Sequence, residues 1–188
     1  MNEGHHMDFK EKWIRLMAWS LRLPAGPRAA LSAVTGLGFL SFVSAALMIP
    51  VVVEKRLGIQ GFLPGWLAAL IGIPLLAAGA FLATWAVARF IAARGTPVPL
   101  NPPPRLVTDG PYSYSRNPML GGIFMMYFGA GAVLNSATLF FLVTPVLVIG
   151  ARIFVKKVEE PELETRLGND YIEYRSRTPM FFPRFFKS

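Results

Sequence analysis

The side chains able to do chemistry gather in two polar stretches of a mostly apolar chain. LVTDGPYSYSRNPMLGG, residues 106–122, carries Asp109, Tyr112, Tyr114 and Arg116. EEPELETRLGNDYIEYRSRTPMFFP, residues 159–183, opens on Glu159 and Glu160 and holds Tyr171 and Tyr174. Carboxylates of this kind accept a proton or hold a cation or a diol, an arginine grips a carboxylate through two parallel N–H bonds, and aromatic faces attract cations. The chain has no cysteine, which removes disulfides, thiolate metal sites, thiol nucleophiles and lipidation at cysteine. Its two histidines, His5 and His6, sit in a polar N-terminal stretch, where a catalytic or metal role is not expected. No metal site is expected anywhere. Proton acceptance therefore falls to Glu159 or Glu160, and after them Asp109.

Each residue also has a plainer meaning. Arg116 alone is a headgroup anchor, and the two glutamates alone are helix-terminal charges facing Lys156 or Lys157. The segment GTPVPLNPPPRLVTDGPYSYSRNP, where prolines and glycines forbid a regular helix, could be a bare tether. A tether has no need of Asp109, Tyr112, Tyr114 and Arg116 in so restricted a backbone, so a binding loop is favoured.

The elements that position these stretches are membrane helices. Of 188 residues, 53% are hydrophobic and 16% charged, more apolar than a soluble domain. Residues 29–53 are uncharged and long enough to cross roughly 30 Å of hydrocarbon. Residues 62–91 form a second span that Pro74 should kink or tilt. Residues 119–134 and 137–155 are two more apolar helices joined only by Asn135 and Ser136, hence a helical hairpin. Gly121, Gly122, Gly129, Gly131 and Ala132 let its first arm approach a neighbour or a ligand, packing being the commoner use. The expected fold is an all-α membrane protein with about four transmembrane helices and amphipathic N- and C-terminal helices, in one domain.

Those flanking helices are amphipathic. In residues 8–22, Trp13, Ile14, Leu16, Met17 and Leu21 share a face while Lys10, Lys12, Arg15 and Arg22 reach outward. This fits an interfacial helix or one docked on the protein itself. Leu163, Leu167, Tyr171 and Tyr174, spaced four, four and three, predict a surface helix that Pro161 suits at its start and Gly168 weakens. Arg184 and Lys187 sit among phenylalanines in an interfacial tail. All Lys and Arg except Lys55 and Arg56 lie in, or within one helical turn of, three regions that an even number of spans puts on one side. The positive-inside rule makes that side cytosolic, with both termini there, at the cell inner membrane if the source is bacterial. The net charge of +8 fits anionic lipid better than nucleic acid, and no partner nucleic acid is expected. No charge lies near the centre of a span, which argues against an ion pathway.

Over about residues 97–183 the chain resembles the isoprenylcysteine carboxyl methyltransferase and phospholipid methyltransferase superfamily of integral membrane enzymes. The first polar stretch is similar to that family's Leu-Val, Gly-x-Tyr and Arg-His-Pro followed by a small-residue helix start. The second is similar to its paired glutamates, Leu, Gly, two tyrosines three apart and a proline-ended tail. Their order around a tight hairpin makes the joint match specific. The resemblance implies S-adenosylmethionine as cofactor, with Val107, Tyr112, Asn117, Pro118, Met119 and Leu120 lining its pocket and Glu159 as acidic partner. Unpaired N–H groups at the helix start by Pro118 would favour the methionine carboxylate, and Arg116 could pair with it.

Asn117 stands where the family has histidine, and Leu120 where tyrosine is common. The family's substrate-contacting arginine aligns with Val155, leaving Arg152, Lys156 or Lys157 to substitute by reach. Arg152, Lys156, Tyr171 and Tyr174 are the expected contacts to the acceptor. The implied function is methyl transfer to a lipid-like or prenylated amphiphilic acceptor at the cytosolic face, with Glu159, Glu160 and Arg116 as catalytic candidates. The alternatives are a sterol-type membrane reductase using NADPH, or a non-enzymatic scaffold or transporter.

Overall fold

The computed structural model describes residues 9–95 and 103–181. His5 and His6, residues 96–102 of the proline-rich loop, and Arg184 and Lys187 lie outside the described residues, as does the side chain of Lys10. The chain is all-helical, with no strand among the described residues. Its helices are α1 (Phe9–Arg22), α2 (Ala25–Arg56), α3 (Gly65–Ala92), α4 (Pro118–Val133), α5 (Thr144–Phe154), α6 (Glu160–Leu167) and α7 (Asn169–Arg177). A 3-10 turn at Gly110–Ser113 precedes α4. Wider π turns at Leu139–Val143 and Val155–Glu159 join α5 and α6 into one helical stretch, Leu139–Leu167.

Three stretches, Gly26–Arg56, Gly65–Ala92 and Leu139–Leu167, are long and apolar enough to cross a membrane. The fourth apolar helix, α4, has 16 residues, which at about 1.5 Å each falls short of roughly 30 Å of hydrocarbon. It can be short because its partners cover it: Phe124, Tyr127, Ala130 and Ala132 are buried, while Leu37, Phe42, Leu70, Ile73 and Phe141 on the long helices are exposed, as lipid-facing residues are. The Tyr127 hydroxyl reaches across to donate to the Val43 carbonyl, tying α4 to α2.

The seam between α3 and α4 is built on glycine. A Cβ at Gly79 would stand 2.6 Å from the Gly122 carbonyl oxygen, and one at Gly72 would stand 2.7 Å from the Gly129 carbonyl oxygen. The two glycines of each helix are seven residues apart, so two turns of one helix lie on two turns of the other at backbone contact. Ala86, seven beyond Gly79, is fully buried and extends the stripe toward the polar end. Gly122 and Gly129 thus serve packing, and their partners Gly72 and Gly79 complete it.

At the opposite end of the bundle, Asn135 takes φ 53° in the tight turn after α4. Its Oδ1 accepts from the Phe62 and Leu63 N–H groups at 2.9 Å each, and its Nδ2 donates to the Leu63 carbonyl at 2.7 Å. Glu54, buried at the end of α2, accepts from the Thr138 N–H at 2.7 Å, so the hairpin's turn is held from both neighbours.

Pro161 falls in the first turn of α6, as expected, although α6 runs on from α5 through the Val155–Glu159 π turn, and the shifted ladder there accommodates the proline's missing donor. One expectation for the C-terminal region is corrected: Leu163 and Tyr174 do not share one helix. Gly168, at φ 60° and ψ −137°, ends α6 and lets α7 turn back. At this same end α1 docks edge-on through Trp13 against Phe154, with ring centroids 5.3 Å apart, and buries Met17 and Ser20. Leu16 and Trp19 remain exposed, so α1 both docks on the protein and presents an apolar face outward.

Candidate functional site

The turn at Gly168 brings α7 under the loop before α4, and the two polar stretches meet. The 3-10 turn starts at Gly110, whose φ of 59° reverses the chain, and buries Pro111 and Tyr112. The Tyr112 ring lies 5.2 Å from that of Phe90 and packs with Ala86, Val107 and Met119. Tyr174 of α7 donates its hydroxyl to the Tyr112 carbonyl at 2.6 Å, with the Ser115 carbonyl at 3.4 Å.

The chain after α7 adds a second tie. Arg116 N–H donates to the Pro179 carbonyl at 2.8 Å and Asn117 N–H to the Met180 carbonyl at 3.0 Å, while the Ser115 hydroxyl donates to Met180 at 3.1 Å. Phe181 then packs edge-on against Phe124. Ser115 and residues 178–181 were not among the expected site residues. Main-chain pairing of this kind leaves no mark in side-chain type, so nothing in the sequence signals it.

An ion pair lies between these ties. Arg116 pairs with Glu160, their side chains only 11% and 6% exposed. Arg175 approaches the other Glu160 oxygen at 3.8 Å and pairs with Glu164, while Glu162 takes Arg166 at 2.8 Å. Arg116 Nε is buried with no partner. Glu159, partly exposed, makes no ion pair or hydrogen bond among the described residues. At the start of α4 the first intrahelical bond is Gly121 N–H to the Asn117 carbonyl at 3.0 Å, so the Met119 and Leu120 N–H groups precede the ladder. Pro118 is buried, and Asn117 makes no side-chain cap.

The tyrosines are held in their neutral form. Burial pushes Tyr171 up to about 12, with Glu160 adding to the rise and the Arg116 guanidinium opposing it. Burial also raises Tyr174, reinforced by Tyr171, and raises Tyr112, reinforced by Tyr174 and Glu159. The Tyr174 phenol therefore remains a hydrogen-bond donor at any physiological pH.

The constellation thus joins Tyr112, Arg116, Asn117, Glu160, Tyr171 and Tyr174, with Glu159 at its margin. Arg152, Lys156 and Lys157 stand apart on the exposed side, without an ion pair among the described residues. Asp109 is exposed and pairs with Arg89 at 3.2 Å. A cavity of about 340 Å³ between the end of α3 and the loop is lined by Val107, Asp109, Arg89 and Arg105, within the range of small-molecule sites. Of the expected pocket residues, Val107 is the one that lines it.

Compared with known proteins, residues 67–170 match the sequence model of a family described as phospholipid methyltransferase. The chain is also similar to the nickel-cobalt-cadmium resistance protein NccN of Alcaligenes xylosoxydans xylosoxydans, at 36% identity over 81 residues. That similarity covers 42% of this chain and 36% of the relative, so the chain matches little more than a third of the relative's length.

Proposed function

The chain belongs to the phospholipid methyltransferase family of membrane methyltransferases, and from that premise we propose that it moves a methyl group from S-adenosylmethionine to a lipid-like acceptor at the cytosolic face. The observation that carries this reading is the join between the two polar stretches. It gathers an arginine with an orphaned buried donor, two helix-start N–H groups and an uncommitted glutamate on the margin of one cluster.

That donor set fits the cofactor. Arg116 Nε and the N–H groups of Met119 and Leu120 would hold the methionine carboxylate. Glu159 would accept from the ammonium or the ribose hydroxyls, and Val107, Tyr112, Asn117 and Pro118 would supply the remaining walls. When bound, S-adenosylmethionine supplies a methyl group on a positively charged sulfur.

The chain's own part is positioning and exclusion of water. Glu160 is committed to Arg116 and fixes that guanidinium, so it acts as a positioning residue. Glu159 carboxylate oxygens remain to take the proton of an amine or hydroxyl acceptor, a step that a carboxylate acceptor does not need. The acceptor enters sideways from the bilayer, with Arg152 and Lys156 at headgroup depth and Tyr171 and Tyr174 bracing the site wall.

Titration calorimetry of the detergent-purified, folded protein should detect S-adenosylmethionine. Absence of binding there, or a rise in thermal midpoint with NADPH in its place, would overturn the reading. Incubation with labelled methyl donor and a lipid extract then identifies the acceptor from the labelled product.

A further inference from the structure

A second cavity, of about 400 Å³, opens where four elements end at the polar side of the bundle. Its walls are Leu21 from α1, Arg28 from α2, Arg94 just past α3, Pro103 and Pro104, and Arg166 with Leu167 from α6. Arg166 is oriented by Glu162 at 2.8 Å and by the Pro103 carbonyl at 3.3 Å. Arg28 and Arg94 make no ion pair among the described residues.

Two of these arginines stand where local structure disfavours them. Arg28 lies in the first turn of α2, which has no acidic residue, and the positive end of the helix dipole repels a cation there. Arg94 occupies the left-handed position that closes α3, at φ 60°, with Gly95 N–H returning to the Phe90 carbonyl at 2.9 Å. That position favours glycine, and here the glycine comes one residue later. Both placements are explained by what they share: each puts a guanidinium at one cavity, beside a third.

We propose that this cavity binds a phosphate monoanion or diester, in the form of an anionic phospholipid headgroup. Three guanidinium groups supply the charge, and Leu21, Leu167, Pro103 and Pro104 supply an apolar collar of the kind a glycerol backbone and upper acyl chain would meet. The site contains none of the methyl-transfer constellation and does not depend on it. It would clamp α1, α2, α3 and α6 to one another through a lipid.

The test is the thermal midpoint of the full chain in detergent with phosphatidylcholine, with phosphatidylglycerol, or with inorganic phosphate. Phosphatidylglycerol is expected to raise the midpoint of the native protein, and Arg28→Gln with Arg94→Gln to abolish most of that rise. Lys12→Gln with Arg15→Gln, which removes the same charge from exposed positions of α1, should keep it. Arg94→Gly separates binding from folding, since it relieves the left-handed backbone. It should match or exceed the native midpoint in phosphatidylcholine and yet respond less than the native protein to phosphatidylglycerol. A rise reproduced by inorganic phosphate supports the anion site with free phosphate as occupant, and one confined to phosphatidylglycerol supports the lipid. Equal loss in the two double variants, or no rise with either anion, overturns the proposal.

Discussion

The Tyr174 hydroxyl donates to the Tyr112 carbonyl at 2.6 Å, fastening the last helix to the loop before α4 across 62 residues of sequence. Because the acceptor is a main-chain oxygen, the two tyrosines are not equivalent in this contact. Tyr174→Phe removes the donor and leaves a buried carbonyl short of a partner, which should lower stability by about 1–2 kcal/mol and weaken binding of S-adenosylmethionine. Tyr112→Phe keeps the bond. Thermal unfolding and calorimetry on both variants check the asymmetry.

Glu159 and Glu160 should separate in the same way. Glu160→Gln breaks a buried pair and leaves Arg116 charged without its partner, a loss of about 3 kcal/mol visible as a lower thermal midpoint. Glu159→Gln should leave the midpoint nearly unchanged while cofactor affinity falls roughly 10-fold to 100-fold, the worth of a charged hydrogen bond. Unchanged affinity in Glu159→Gln would remove that residue from the site.

Neighbouring glycines of α4 give a third contrast. A methyl at Gly122 would meet the Ala83 nitrogen and the Gly79 oxygen at 2.7 Å, whereas one at Gly121 would find the Phe181 oxygen at 3.6 Å. Gly122→Ala should cost about 1–3 kcal/mol by forcing α3 and α4 apart, and Gly121→Ala should be tolerated. Reversible unfolding in detergent measures both.

Alkaline pH should unfold the site. Burial raises Tyr112, Tyr171 and Tyr174 above the ordinary tyrosine value of about 10. The unfolded chain therefore loses these protons first as pH rises, and binds fewer of them than the folded chain. Their contribution to stability is complete below about pH 10 and is lost as pH climbs through the folded values, near 12 for Tyr171. Phenolate absorbance should rise together with the loss of helical circular dichroism. A full early titration of all tyrosines in folded protein would contradict the burial described.

Much of this was written in residue types. Long uncharged runs fixed the membrane helices, since hydrocarbon admits a backbone only when its polar groups are internally bonded. Asn135 and Ser136 could only be a tight turn, and the charge at the chain's ends and in the proline-rich loop put those regions together. The two polar stretches announced the family by their own residues.

What the sequence could not decide depended on pairing across distance. Whether Arg116 faces a lipid, a ligand or Glu160 is a question of which neighbour arrives, and all three offer it the same charge. Whether Gly168 weakens a helix or ends it turned on what α7 gains by folding back, namely the carbonyls of Tyr112 and Ser115. Gly72 and Gly79 take their role from Gly129 and Gly122, which only the packed helices bring opposite them. Arg28, Arg94 and Arg166 are three separate cations in the sequence and one cavity wall in space. Local composition sets what each residue can do, but only the packed fold sets which of its possible partners is within reach.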